Sequence, residues 1–177
     1  MTVQESQSVH QRIDRMLRTP AALKKISEVN SILVLSTFWY PEVIEGLKTS
    51  LLKFFQSLEI KEEKIQFVEV PGALELPYAA RVGASGRLVG QKNKPDMIVV
   101  LGCVQRGSTP HFDFVCTSAF DGLMDVQLSK KIPMGLGLLT VDNLEQAEAR
   151  LNKGFEAAQA ALFMYLSTET DHAAELD

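Results

Sequence analysis

Residues 97–101 form an uninterrupted apolar run, Met97-Ile98-Val99-Val100-Leu101, followed by Gly102. A short run of this kind, rich in β-branched residues and with no polar position, fits a strand covered on both faces. That condition restricts the fold severely. Burial of both faces is the habit of parallel sheets, whose strands need crossover connections long enough to be helices. The residues that follow agree. Arg106, Gly107, Ser108, Thr109 and His111 make a polar loop, and after Asp113 the apolar positions Val115, Ala119, Leu123 and Val126 recur at helical spacing. A strand breaking at Gly102, a polar loop and a helix are half of a βαβ unit. Ligands of open parallel sheets gather at the loops outside the carboxyl ends of the strands. This loop is therefore where chemistry is expected.

The same alternation runs through the rest of the chain. Residues 31–37 (SILVLST) read as a second strand buried on both faces, ending in Phe38-Trp39-Tyr40-Pro41. Pro41 is a plausible first helical residue. Ile44, Leu47, Leu51, Phe54, Phe55 and Leu58 then give one apolar face to a helix over about 41–58. Residues 65–70 (IQFVEV) form another strand, stopped by Pro71-Gly72, and a helix is expected from Ala73 to about Ala84. A glycine- and lysine-bearing loop over 83–94 leads to the run at 97. Pro133 introduces a fourth strand, 134–139 (MGLGLL), whose two glycines suggest close approach of a neighbouring backbone. A helix carrying Leu144, Ala147 and Arg150 follows, with Asp142 or Asn143 as its N-cap. A break is expected at Asn152-Lys153-Gly154, and Phe155, Ala158, Leu162, Tyr165 and Leu166 define the closing helix. The expected fold is an α/β three-layer sandwich: a four-stranded parallel sheet with helices on both faces and right-handed crossovers.

Length and composition are consistent with one such domain. The 177 residues suffice for a sizeable core, and a hydrophobic fraction of 46% with 23% charged residues is ordinary for a soluble globular chain. Residues 1–30 read as a polar N-terminal arm with one helical segment around Ile13-Met16-Leu17, residues 31–167 as the α/β domain, and residues 168–177 as a polar tail. A net charge of −4 offers no footprint for nucleic acid or an anionic membrane surface. No apolar stretch is long enough to span a bilayer and no signal peptide opens the chain, so a cytoplasmic location is expected. Cys103 and Cys116 have no metal-ligand or CxxC spacing and read as reduced packing thiols.

Three groups of side chains are candidates for function. Gly107-Ser108-Thr109 offers backbone N–H groups and two hydroxyls just ahead of a helix, an arrangement suited to an anion and above all to phosphate. Neither a Walker A loop nor a dinucleotide GxGxxG is present, and a Gly-Ser-Thr before a helix can equally be a simple cap. His111 could move a proton near neutral pH, although a single loop histidine is more often structural or solvated. Glu75 lies near a helix start, where the macrodipole favours a carboxylate; the alternative reading has it face the crevice as an acceptor for a hydroxylated ligand. The aromatics Phe38, Trp39 and Tyr40 end a strand, and not all three can point inward.

These residues carry a family resemblance. The segment Val70-Pro71-Gly72-Ala73-Leu74-Glu75-Leu76-Pro77, the segment from Leu101 to Cys116 (LGCVQRGSTPHFDFVC), and Gly137-Leu138-Leu139-Thr140 with Glu145-Gln146-Ala147 and Arg150 resemble the lumazine synthases of riboflavin biosynthesis. Order and spacing agree over roughly residues 31–166. The resemblance implies a flavodoxin-like fold and a cofactor-independent, metal-free transferase. Its reaction condenses 5-amino-6-(D-ribitylamino)uracil with 3,4-dihydroxy-2-butanone 4-phosphate, releasing phosphate and water. It further implies His111 as the proton-transfer residue. Phe38 would stack on the pyrimidine, with Ala73, Leu74 and Glu75 lining that substrate and Glu75 accepting from the ribityl hydroxyls. Cys103, Val104 and Gln105 would hold the uracil edge, mainly through backbone groups. Ser108 and Thr109 would take the phosphate, helped by Arg150. Arg150 and the residue at Leu136 are expected from a neighbouring subunit, so the resemblance implies a homo-oligomer, a pentamer or larger shell, with sites between subunits. Riboflavin synthase is the partner it suggests.

The chain departs from the family pattern at several positions. Trp39 stands where the family has an asparagine, leaving open whether Phe38 or Trp39 faces the ring. Leu74 and Leu136 replace phenylalanines, Gln105 replaces an apolar residue, and the glycine-rich connector after Arg150 is reduced to Leu151-Asn152-Lys153-Gly154. Gln105, Leu136 and the short connector favour a rival reading, a weakly catalytic or non-catalytic flavin- or lumazine-binding protein, or an assembly scaffold, on the same fold. Ser108, Thr109, His111 and Arg150 favour the enzyme.

Overall fold

A computed structural model describes residues 3–168, with side chains from residue 8 onward. The tail expected over 168–177 lies, apart from Thr168, outside the described residues. Four strands, β1 (Ile32–Thr37), β2 (Ile65–Val70), β3 (Met97–Gln105) and β4 (Met134–Val141), form one sheet in the order β2-β1-β3-β4. Every pairing is parallel. The helices are α1 (Val3–Leu17), α2 (Pro20–Ser27), α3 (Pro41–Ser57), α4 (Leu76–Gly83), α5 (His111–Lys130), α6 (Leu144–Glu148) and α7 (Lys153–Ser167).

Strand pleat divides the core in two. Ile32 and Val34 of β1, with Met97, Val99, Leu101 and Cys103 of β3, face α3 and α7. Leu33 and Leu35, with Ile98 and Val100, face α4 and α5. The result is a three-layer α/β sandwich. The central strands β1 and β3 are buried at nearly every position, whereas the edge strand β2 is only partly covered along its middle. The α5 positions read from periodicity, Val115, Ala119, Leu123 and Val126, are the ones its packed face buries.

Four features differ from the sequence reading. First, β3 does not end at Gly102. It continues to Gln105 because β4 pairs alongside it from Ile98↔Met134 to Gln105↔Val141. Gly102 serves packing here, since a Cβ would lie 2.5 Å from Leu138 Cδ1. Second, β4 likewise runs on to Val141. Third, the N-terminal segment holds two helices rather than one. Thr19 Oγ1 accepts from the Ala22 amide to cap α2, and Leu17 and Ile26 are buried in the α3–α7 side of the core. His10 completes the docking of α1: its Nδ1 is 2.7 Å from Gln159 Oε1, a buried side chain of α7 that in turn donates to the His10 carbonyl. Fourth, the break between the last two helices falls over 149–152, before Lys153 rather than at Gly154, which leaves Arg150 in the connecting turn.

The expected close approach at the β4 glycines is present. A Cβ on Gly135 would run into the Ala157 carbonyl oxygen, so α7 lies directly on β4.

Candidate active site

Parallel register brings the carboxyl ends of all four strands to one edge of the sheet, with Thr37 opposite Val70 and Gln105 opposite Val141. Each candidate residue can be located against that edge.

On the β1–β2 side, the Phe38 amide donates to the Val70 carbonyl at 3.0 Å, joining the ends of the two strands. Phe38 and Trp39 are 58% and 64% exposed, too open to be core residues. Tyr40 takes a left-handed conformation, φ 58° and ψ 62°, an uncommon one for an aromatic residue. It lets α3 begin at Pro41 while Tyr40 packs against the core and Trp39 turns outward. Gly72 separates Trp39 from Glu75: a Cβ there would lie 3.2 Å from Glu75 Oε2 and 3.6 Å from Trp39 Nε1. The indole N–H and the carboxylate thus flank one residue. Ala73–Glu75 form a 3-10 turn before α4, not the first turn of the α-helix, and the Glu75 side chain makes no capping hydrogen bond. Its carboxylate is exposed and available as an acceptor. Ala73 is buried and Leu74 is 48% exposed.

On the β3 side, Val104 and Gln105 are half-buried at the strand end. Cys103 is buried among the α3–α7 core residues, and burial pushes its thiol up to about 11. Only its backbone can meet a ligand. Cys116 is half-buried and its thiol is also raised, by burial and then by Asp113; both cysteines are free. Ser108, Thr109 and His111 are exposed in one loop, with His111 the first residue of α5. Among the described residues, no hydrogen bond occupies the amides of Gly107, Ser108 and Thr109 or the two hydroxyls. Three amides and two hydroxyls ahead of a helix remain open to an anion.

The single chain does not gather every expected residue. Leu136 pairs with Val100, five positions before Val141 at the end of β4, which puts it roughly 16 Å back along the strand at about 3.3 Å per residue. It is half-buried on the α4–α5 side. Arg150 lies exposed in the turn before α7, where its Nη1 donates to the Gln146 carbonyl at 2.7 Å, and it has no carboxylate partner among the described residues.

The structure also shows a cluster to which the sequence assigned no role. Arg106 donates from Nη2 to Asp113 Oδ1 at 2.9 Å and from Nη1 to Asp113 Oδ2 at 3.2 Å. Its Nε lies 3.4 Å from Asp142 Oδ1, and its Cζ is 4.1 Å from the centre of the Phe112 ring. Asp142 is free for this contact because Asn143 is the α6 cap, accepting from the Gln146 amide at 2.9 Å. Among the described residues, no group of three or more acidic, histidine or cysteine side chains could hold a metal. No described helix is long and apolar enough to cross a membrane.

A three-layer sandwich around a parallel sheet, with an open Gly-Ser-Thr loop, an exposed histidine and exposed aromatic residues at its carboxyl edge, defines an α/β protein of the doubly wound class. Sequence comparison narrows this further. The profile of the 6,7-dimethyl-8-ribityllumazine synthases matches residues 30–169. A 6,7-dimethyl-8-ribityllumazine synthase of Desulfovibrio desulfuricans is 38% identical over 137 residues, covering 74% of this chain and 83% of the relative. The chain belongs to the 6,7-dimethyl-8-ribityllumazine synthase family.

Proposed function

We propose that this protein is a 6,7-dimethyl-8-ribityllumazine synthase, a transferase that condenses 5-amino-6-(D-ribitylamino)uracil with 3,4-dihydroxy-2-butanone 4-phosphate. The observation that carries the reading is the loop of Ser108, Thr109 and His111, whose amides and hydroxyls are open just where β3 gives way to α5. The reaction needs an amine to attack a carbonyl, water to leave the adduct, phosphate to be eliminated, and a ring to close with loss of a second water. Much of this is positioning, and holding two reactants in geometry can supply about 7–11 kcal/mol of the barrier. Ser108 and Thr109 bind the phosphate through hydroxyls and amides. His111, beside them, moves the proton that accompanies adduct formation and phosphate loss. Glu75 accepts from the ribityl hydroxyls, and the aromatic face of the pyrimidine is supplied by Phe38 or Trp39. Trp39 is favoured by its indole lying next to Glu75 across Gly72. Ala73, Leu74 and the backbone of Cys103, Val104 and Gln105 complete the uracil side.

Leu136 and Arg150 belong to the site of a neighbouring copy. The reading is supported by the distance of Leu136 from its own chain's crevice and by the exposed, carboxylate-free guanidinium of Arg150. The assembly is a cyclic homo-oligomer, a pentamer on the family pattern, acting in the cytoplasm and passing its product to a riboflavin synthase. The unit carrying the activity is residues 31–167, with the N-terminal arm before it, helical where described from Val3, packed against it.

The test is lumazine formation by purified protein with both substrates, followed by absorbance and corrected for the spontaneous condensation. Acceleration well above background establishes the synthase. No acceleration, with lumazine or riboflavin still bound, replaces it with a ligand-holding role on the same fold.

A further inference from the structure

We infer that Arg106 is a positioning residue, a brace that fixes the 107–110 loop and His111 through Asp113 and Asp142, and not itself a ligand for phosphate. The inference rests on the synthase reading for the identity of the substrate, but the geometry that carries it does not depend on that reading.

Arg106 has four attachments, and they come from two different parts of the chain. Its amide donates to the Val141 carbonyl at 2.8 Å, and its Nε faces Asp142, so both main chain and side chain hold the β4–α6 junction. Both terminal nitrogens grip the two oxygens of Asp113 in the first turn of α5, a bidentate fork that fixes the relative plane of the groups as well as their distance. The guanidinium also lies over the ring of Phe112, the residue next to His111. The loop between these anchors holds Gly107, Ser108 and Thr109, which have no hydrogen bonds of their own among the described residues. Left to itself, such a loop would have to be ordered by its ligand. Pinning its two ends lowers that cost before the ligand arrives.

Charge argues against Arg106 as the anion site. One guanidinium faces two carboxylates, so the cluster carries a net negative charge and an incoming phosphate meets Asp113 and Asp142 as well as Arg106. The pairs are also open to solvent, and exposed ion pairs add little to global stability. A brace of this kind governs where the loop sits more than whether the protein folds.

The experiment compares Arg106→Lys and Asp113→Asn with wild type, using Asp125→Asn, which breaks the unrelated surface pair with Arg81, as control. Three quantities are read: KM for each substrate, binding of inorganic phosphate followed by phosphorus NMR, and the melting temperature. A brace predicts about a tenfold rise in KM for the butanone phosphate in both variants, well within the loss that about 1 Å of misplacement can produce. Phosphate binding weakens in parallel, while KM for the ribitylaminouracil and the melting temperature stay near wild type. Arg106→Lys fails to rescue because an ammonium keeps the charge but has neither the fork nor the planar stack. The sign for Asp113→Asn decides between roles. If Arg106 were a phosphate ligand, removing a competing carboxylate would tighten phosphate binding; if it is a brace, binding weakens. Tighter binding in Asp113→Asn, or wild-type phosphate constants in both variants, overturns the inference. A wild-type protein that binds phosphate but does not accelerate lumazine formation overturns the synthase reading alone, because the phosphate titration still ranks the variants. Absence of both phosphate binding and catalysis in the wild type overturns both.

Discussion

Cys103 and His111 belong to the same stretch of chain and meet opposite surroundings. Cys103 faces the α3–α7 core, where burial holds its thiol at about 11, whereas His111 opens α5 in the exposed loop. A thiol that far above its ordinary value is less than about one part in a thousand thiolate at neutral pH, and the thiolate is the nucleophile. Iodoacetamide at pH 7.5 is therefore expected to leave Cys103 unmodified in the folded protein, with labelling appearing on denaturation. Rapid labelling of native Cys103, read by peptide mass, would mean that the end of β3 opens. His111→Ala is expected to slow turnover by about 10²–10⁴-fold without abolishing it, since substrate positioning survives the loss of one proton shuttle. Steady-state kinetics of a variant that still folds and assembles checks this, and complete loss of acceleration contradicts it.

The Arg106 pair has a pH sense of its own. Hydrogen bonds from Arg106 hold the Asp113 carboxyl below its usual value. A depressed carboxylate contributes its stabilisation above the unfolded pKa, near 3.9, and loses it as pH falls through the lower folded value. The brace is thus intact across the neutral range, and any change in activity between pH 6 and 8 belongs to another group. This cluster was poorly legible in the sequence. Arg106 and Asp113 were visible as loop residues, but which charges pair across a turn depends on the path of the turn. Asp142 reached Arg106 only because Asn143 took the cap position that either residue could have filled.

At the level of elements, periodicity located strands and helices well where one face or both faces are buried, as in β1, β2, α3 and α5. It failed where tertiary pairing extended an element beyond its own signal. Gly102 looks like a strand end until β4 is laid beside it, with Leu138 occupying the space that a side chain would need. The N-terminal helices were underestimated for a related reason. Their polar faces dominate the composition, and Leu17 and Ile26 acquire meaning only against α3 and α7. Conversely, the β4 glycines announced a close approach that the structure contains. Gly135 abuts the Ala157 carbonyl, which is backbone and cannot swing away as a side chain could. Gly135→Ala is expected to cost at least about 1–3 kcal/mol, the usual range for overpacking. At roughly 2–4 °C per kcal/mol for a chain of this size, the melting temperature should fall by several degrees. Gly107→Ala, which meets nothing within 4 Å, should leave the melting temperature near wild type. Equal losses in the two variants would mean that the cost does not come from the α7–β4 contact.

At the scale of the whole molecule, one chain does not bring together all the residues proposed for the reaction. Trp39 and Glu75 meet at Gly72, and Ser108, Thr109 and His111 share a loop, but Leu136 lies far back on edge strand β4 and Arg150 sits apart in the turn before α7. Periodicity offers no physical reason for that division, because it describes how a chain packs on itself and is silent about a second copy; only the family resemblance suggests it. If His111 and Arg150 meet across an interface, mixing two damaged chains must rebuild some intact sites. His111→Ala and Arg150→Ala chains, unfolded together in equal amounts and refolded, assemble at random in a ring where each site draws His111 from one copy and Arg150 from the next. Roughly one quarter of the sites then hold both native residues, as the head-to-tail geometry of a cyclic assembly requires. Activity per chain should rise toward about a quarter of the wild-type value, with a wild-type KM for the butanone phosphate in that fraction. If both residues act within one chain, every site in the mixture carries one lesion, and activity stays at the average of the two variants. The comparison also separates an interface role for Arg150 from a purely local one. A local Arg150 would give Arg150→Ala the same raised KM in every mixture, whereas a shared site yields four kinds of site, one of them with both native residues, in proportions set by the mixing ratio.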